Sequence, residues 1–272
     1  KKASRCIQVM KLVCLNVEQD TIQISEADTL ATHLFTLTES IFKANPIDVR
    51  FCKYLLRTWQ VIFSKKHFVN AISVKHLKTI IRQILHELQN EQLSNMGDTG
   101  KQIVQALYNA ILLILNNYDR SDVIVVFLEL LQTSMKEVFQ DEKYIDCLVK
   151  CLLKLAKTLA ATIHTLDLGK ILIGLNEFFL HTPKNEELAC KPHRMIKTIL
   201  NEIVRLEGSR LQTCLDSVFP GDQDKEPVCG YAQQFLAAQK QSSSSQTHRD
   251  SPSAGLAVKD KQKLLEIFKN VR

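Results

Sequence analysis

The sequence predicts an all-α protein built as a helical solenoid. Three observations carry that expectation. Only 8 Gly and 6 Pro occur in 272 residues, whereas turn-rich sandwiches, barrels and propellers draw heavily on both. Apolar residues recur at three- and four-residue spacing along most of the chain, the period of one helix face. The segments so defined are similar in length and joined by short polar stretches, as stacked helical pairs are. The hydrophobic content of 45% also sets the chain apart from disordered sequences.

The elements follow in order. Residues 1–15 place Cys6, Ile7, Met10, Val13 and Cys14 on one helical face. A second helix opens at Ser25, with Glu26 and Asp28 in its first turn, where carboxylates suit the positive end of the helix dipole. Its stripe is Leu30, Leu34, Leu37 and Ile41. Asn45-Pro46 stops it, because the residue before proline avoids helical backbone. Ile47 to Ser64 carries Phe51, Leu55, Trp59 and Ile62, which puts Trp59 in the core phase. Ser73 is the expected cap of the next helix, with Leu77, Ile80, Ile81, Ile84 and Leu88. Asn90 to Gly100 reads as a loop, and residues 101–117 as a helix apolar nearly all round, hence buried on two sides.

Ser121-Asp122 is the expected cap of a helix through about Phe139; Val123 to Phe127 is β-branched, but Leu128, Leu131 and Met135 continue the helical period. Asp141 and Asp167 open two more, and Pro183 and Pro192 bracket a joint. Met195 to Leu206 is helical, Gly208 ends it, and Leu211 to Phe219 is a short last helix. About ten helices over residues 1–219 make roughly five antiparallel pairs of about 40 residues, the HEAT or armadillo period. A compact irregular bundle is the rival architecture. Residues 220–240 read as a loop and a short appended helix, 241–257 as a flexible linker containing Ser242 to Ser245, and 258–272 as the first helix of a following domain. The chain begins without Met, so a fragment of a longer protein is expected.

Composition narrows the chemistry. No uncharged apolar run of about 18 residues occurs, so no membrane span is expected, and the N-terminus lacks the pattern of a signal peptide. Six of the 8 Cys (Cys6, Cys14, Cys52, Cys147, Cys151 and Cys214) sit among aliphatic residues at helical spacing. That suits buried thiols in a reducing compartment. There is no Gly-rich phosphate loop, nucleophile elbow or HExxH helix, so no enzyme activity, catalytic residue or cofactor is expected. The pairs Cys147 with Cys151, and Cys190 with His193, lie at metal-ligand spacing. They lie too far apart in sequence for a compact local zinc site, so no metal is expected.

The one patterned polar feature is basic. Arg50, Lys53 and Arg57 lie at i, i+3 and i+7; Lys75, Lys78 and Arg82 repeat that spacing, and Lys65 and Lys66 fall in the joint between. Residues 1–90 hold 13 Lys and Arg against 7 Asp and Glu. If the two helices lay side by side, their stripes would merge into a patch for an acidic partner. The plainer alternative is that each stripe is only a solvated face. No aromatic residue is displayed among these cations and no nucleic-acid-binding module is present, so nucleic acid is not the expected partner.

Several stretches, in order, resemble one family. They are Leu166 to Leu172, Asn176 to Phe179 with Pro183-Lys184, Arg194 to Leu200, and Arg205 to Leu211. Leu34 to Phe42, Val74 to Leu88 and Lys263 to Lys269 agree with them. Together they resemble the C-terminal region of the ch-TOG/mini spindles family of microtubule polymerases. The resemblance implies a TOG-like HEAT-repeat paddle, one helix pair short of the usual six. It implies a non-enzymatic scaffold that supports recruitment of a TACC-family adaptor, with the region beyond this chain contributing. The expected location is cytoplasmic, at centrosome and spindle, and the expected state is a monomer without nucleic-acid or membrane partners. It also leaves direct binding of tubulin or the microtubule lattice as an alternative. In that family tubulin is met by loops along one narrow edge, the first displaying a Trp or comparable apolar residue. Trp59, mid-helix in the core phase, does not supply it. A HEAT-repeat adaptor unrelated to microtubules is a further alternative.

Overall fold

A computed structural model of the chain describes residues 2–136, 141–182, 190–221 and 226–244. The regular helices are α1 (Lys2–Glu18), α2 (Ala27–Lys43), α3 (Val49–Ser64), α4 (Lys66–Val69), α5 (Val74–Glu87), α6 (Glu91–Asn95), α7 (Gly97–Asn117), α8 (Arg120–Lys136), α9 (Glu142–Lys157), α10 (Leu159–Thr162), α11 (Leu168–His181), α12 (Cys190–Glu207), α13 (Ser209–Val218) and α14 (Pro227–Ser244). Among the described residues there is no strand, and the expected all-α, HEAT-like solenoid is the fold observed.

The helices stack in two layers. α1, α3 and α7, then α9, α12 and α14, form one; α2, α5, α8, α11 and α13 form the other. Taken in chain order, α1/α2, α3/α5, α7/α8, α9/α11 and α12/α13 alternate between the two layers and give five pairs. Within the stack α2 nests against α3, α5 against α7, α8 against α9 and α11 against α12, each on the first-layer helix that follows it, whereas α13 packs on α11 and α12. The period is written in the polar contacts too. Asn70 Nδ2 to the Asn117 carbonyl spans 47 residues, Asp167 N to Ser121 Oγ spans 46, and Gln132 Nε2 to the Glu177 carbonyl spans 45. Each ties a joint or helix to its equivalent one repeat on.

Local chemistry explains most boundaries. Asp48 accepts from Phe51 N at 3.0 Å, Asp141 from Lys143 N and Tyr144 N, and Asp167 from Lys170 N, each satisfying an orphan amide of a first turn. Where an expected cap is not one, its side chain is used elsewhere. α8 is capped by Asp119, whose Oδ1 accepts from Asp122 N; Ser121 lies inside the helix and accepts from Asp167 N at 2.9 Å. Ser73 sits at the start of α5, but its hydroxyl meets His76 Nδ1 while its amide donates to Asp28 at 2.7 Å. A 3-10 turn, Ile24–Glu26, stands where Ser25 was expected to open α2. Asn90 to Gly100 is not a loop: it holds α6 and the first turn of α7. Pro192 lies in the first turn of α12, where a missing N–H costs nothing. Residues 137–140 and 183–189 lie outside the described residues.

The core is continuous along the stack. Trp59 is 2% exposed, stacked on Phe63 at 5.0 Å between centroids, and donates from Nε1 to Thr38 Oγ1 at 3.0 Å. At the C-terminal end the expected appended helix is α14, an 18-residue element that joins the stack. Its Val228, Cys229 and Ala232 are buried, and Asn176 of α11 holds its start by accepting from Val228 N and donating to the Glu226 carboxylate. The weak apolar period of α14 hid this, because only its first half faces the core. Residues 241–244, expected to begin the linker, are instead the last turn of α14; the rest of that linker, 245–257, and the helix expected at 258–272 lie outside the described residues.

Among the described residues, one carboxylate is buried without an ion pair. Glu87 is 5% exposed and accepts from Gln83 and Asn90 side chains. Burial pushes its carboxyl above the ordinary value of 4.5, and those two amides with His86 only partly offset it. A raised folded pKa means the ionised form opposes folding, so Glu87 adds stability below pH about 4.5 and loses it as pH rises through the folded value. Glu87→Gln, with Gln83 or Asn90 turning its side-chain amide to offer an oxygen to the new NH2, is therefore expected to stabilise the protein at pH 7. Urea melts at pH 7 and pH 4 check this: the gain should shrink toward zero at the lower pH.

Candidate interaction surfaces

The structure separates the two basic stripes. α3 lies in the first layer between α1 and α7, and α5 in the second between α2 and α8. The two helices do not pack side by side, so the condition for one merged patch is not met. Each stripe occupies the outer surface of its own layer, with the core between them.

Half of the candidate cations are engaged in ties between repeats. Lys53 Nζ donates to Gln102 Oε1 of α7 at 3.0 Å, and Arg57 reaches Glu18 of α1 at 3.5 Å. Lys65 donates to the Glu18 carbonyl at 3.0 Å and to both Asp20 oxygens at 3.1 Å, beside His67 on the same carboxylate. Lys78 pairs with Glu129 of α8 at 2.8 Å. Arg50, Lys66, Lys75 and Arg82 are exposed and make no ion pair among the described residues. Paired surface charges contribute little to stability individually, but they neutralise the field of a patch. Spacing in the sequence identified the stripes; it carried no signal for their partners, which come from helices about one repeat away.

One edge of the stack collects the joints within repeats, at residues 19–26, 64–73, 118–119 and 158–167. They are laced together. Asn117 Nδ2 donates to the Phe63 carbonyl at 2.8 Å, Asp119 N to Asn70 Oδ1 at 2.7 Å, and Tyr118 OH to the Ile72 carbonyl at 2.6 Å. Arg120 donates to Thr162 Oγ1 at 2.9 Å. Asp20, at φ 54, takes the left-handed conformation that an Asp tolerates better than most residues, at the turn after α1. On this edge the first joint shows Ile24 at 52% exposure, while Trp59 is in the core as its phase implied.

The cysteines behave as apolar residues. Cys147 and Cys151 of α9 face α7; burial holds both thiols in the neutral form, Cys151 pushed up to about 12. Burial likewise pushes Cys52 up to about 12. Among the described residues no three His, Cys, Asp or Glu side chains converge. The side chain of Cys190 lies outside the described residues. No helix among them is long and apolar enough to cross a membrane.

Comparison with known proteins gives consistent relatives. The chain is 31% identical over 250 residues to Protein MOR1 of Arabidopsis thaliana, covering 82% of this chain and 12% of that protein. Protein MOR1 of Oryza sativa subsp. japonica matches equally, at 31% over 250 residues. Centrosomal protein 224 of Dictyostelium discoideum is 24% identical over 184 residues, 65% of this chain and 9% of that protein. The chain thus spans about an eighth or less of the length of these relatives. No family model and no solved structure matches.

Proposed function

Because this chain belongs to the ch-TOG/mini spindles family, we propose that it is a non-enzymatic interaction scaffold within a microtubule-associated protein. In this reading it supports recruitment of a TACC-family adaptor and targeting to spindle and centrosome. Its mechanism is surface complementarity along a two-layer stack, with no chemical step. The observation that supports the scaffold over lattice binding is the fate of the basic residues. Lys53, Arg57, Lys65 and Lys78 are spent on ties between repeats, and of the other four Arg50 lies on one layer, Lys75 and Arg82 on the other, and Lys66 in the joint between. No concentrated positive field is left among them to face an acidic lattice.

The test is a pull-down of a TACC coiled coil and of tubulin by the 272-residue chain, with and without residues 241–272. Capture of the adaptor that depends on residues 241–272 is the expected result, with the stack as its support. Adaptor capture by neither form would end the recruitment reading.

Direct tubulin contact is the second reading, favoured by the exposed Ile24 on the edge of joints. It predicts microtubule co-sedimentation that falls steeply between low and high salt, since exposed charges are screened. It also predicts that Arg50→Glu with Lys66→Glu, or Lys75→Glu with Arg82→Glu, weakens co-sedimentation several-fold. Under the scaffold reading neither pair changes the small amount that sediments.

A further inference from the structure

The first layer has one interruption. α1, α3 and α7 pack in sequence, as do α9, α12 and α14, but α7 and α9 make no comparable contact. The gap is floored by Leu85 and Leu88, at the end of α5. Its walls are Tyr108, Leu112 and Leu115 of α7, at i, i+4 and i+7, and Cys147 and Cys151 of α9, at i, i+4. Free space amounts to about 90 Å³, room for one aliphatic side chain. Along the helix axis the α7 wall runs about 10 Å, two turns, and the cysteine wall about 6 Å. Tyr108 is 47% exposed at the lip.

The rim is charged with one sign. Lys150 and Lys154 of α9 line the groove, both are exposed, and neither makes an ion pair among the described residues. No carboxylate among the described residues lines the groove. The nearest acid on this part of α9, Asp146, is paired with Lys191 of α12 at 3.3 Å. An apolar slot beside two uncompensated ammonium groups matches a ligand with an aliphatic anchor and flanking carboxylates.

We infer that the α7–α9 groove docks an acidic amphipathic helix of a partner protein, one Leu-sized side chain entering between Leu112 and Cys151 and carboxylates meeting Lys150 and Lys154. The segment of this chain best suited by hydropathy, residues 256–272, is disfavoured by charge: it holds Lys259, Lys261, Lys263, Lys269 and Arg272 against Asp260 and Glu266. The inference deepens the scaffold reading, on which it rests, by naming a surface and the chemistry of its occupant.

The experiment uses the 272-residue chain and two fluorescent synthetic helical peptides, identical in a Leu stripe and differing only in Glu or Lys flanks. Fluorescence anisotropy should show the Glu peptide binding at least tenfold tighter than the Lys peptide. Lys150→Glu/Lys154→Glu, at exposed positions, should reverse that order with an unchanged melting temperature. Tyr108→Glu should weaken the Glu peptide several-fold. Equal binding of the two peptides, no binding of the Glu peptide at millimolar concentration, or no reversal in the double variant overturns the inference. So does capture of a synthetic 256–272 peptide that the Glu peptide cannot displace. The adaptor pull-down is a separate readout: if the TACC coiled coil is captured while the Glu peptide is not, the groove fails and the scaffold reading stands. The opposite pattern keeps the groove and removes the TACC-family adaptor as partner.

Discussion

Trp59→Ala is expected to cost about 3–5 kcal/mol, the largest loss from a single truncation in this fold. Trp59 is among the largest fully buried side chains, and it is the only Trp in the chain. Its ring lies on Phe63, and its indole N–H reaches across to Thr38 of α2. Truncation removes the ring contacts, opens a cavity between α2 and α3, and strands little else, because Thr38 still donates to the Leu34 carbonyl at 2.8 Å. Two companions separate the contributions. Trp59→Phe keeps most of the stacking and should cost about 1–2 kcal/mol, whereas Thr38→Val leaves the buried indole N–H unpaired and should cost about 1–3 kcal/mol. Urea denaturation reads all three. Hydrogen exchange adds a spatial test. A stack of repeats holds together by neighbour contacts, so protection should fall first in α1 to α5 and persist in α11 and α12. Uniform loss of protection would mean that the stack melts as one unit and that the damage is not local.

Trp59 also illustrates what the sequence could disclose. Its phase with Leu55 and Ile62 marks it as core, and the structure agrees. Helices with strong stripes and an Asp cap, such as α3, α9 and α11, are legible because both the period and the orphan amides are local. Ser121 misleads for the opposite reason: a hydroxyl at a helix start has two uses, and this one is recruited by Asp167 from the next repeat. α14 reads as short because its packed half, with Val228, Cys229 and Ala232, precedes a polar half that is still helical. The candidate surfaces divide the same way. Spacing places Lys53, Arg57, Lys75 and Lys78 on helix faces. Which layer each face joins, and whether Gln102, Glu18 or Glu129 stands opposite, depends on contacts between residues about 40–50 apart. The α7–α9 groove is invisible in the sequence for a related reason: Cys147 and Cys151 read as core residues, and only the missing contact between two helices turns that stripe into a wall.

Gly100→Ala is the second large effect, expected at about 2–3 kcal/mol although alanine is the better helix former by about 1 kcal/mol. Gly100 lies in the first turn of α7, under α6. A Cβ there would stand 1.8 Å from the Leu93 carbonyl oxygen and 2.8 Å from its carbon. Both are backbone atoms of a helix whose Leu93 side chain is 2% exposed in the core. The chain can relieve the overlap only by lifting α6 and withdrawing Leu93, or by displacing α7 from α3. Two other glycines calibrate the result. Gly97 has φ 58 and open space around its Cβ, so Gly97→Ala carries only left-handed strain, about 1 kcal/mol. Gly174→Ala meets the flexible end of Leu128 at 3.3 Å and should be close to neutral. Leu93→Ala should not rescue Gly100→Ala, since shortening the side chain leaves the carbonyl in place; the two losses should add or exceed addition. Rescue would show instead that the Leu93 side chain, and not the α6 backbone, resists the added methyl, and that the close approach of α6 to α7 is adjustable.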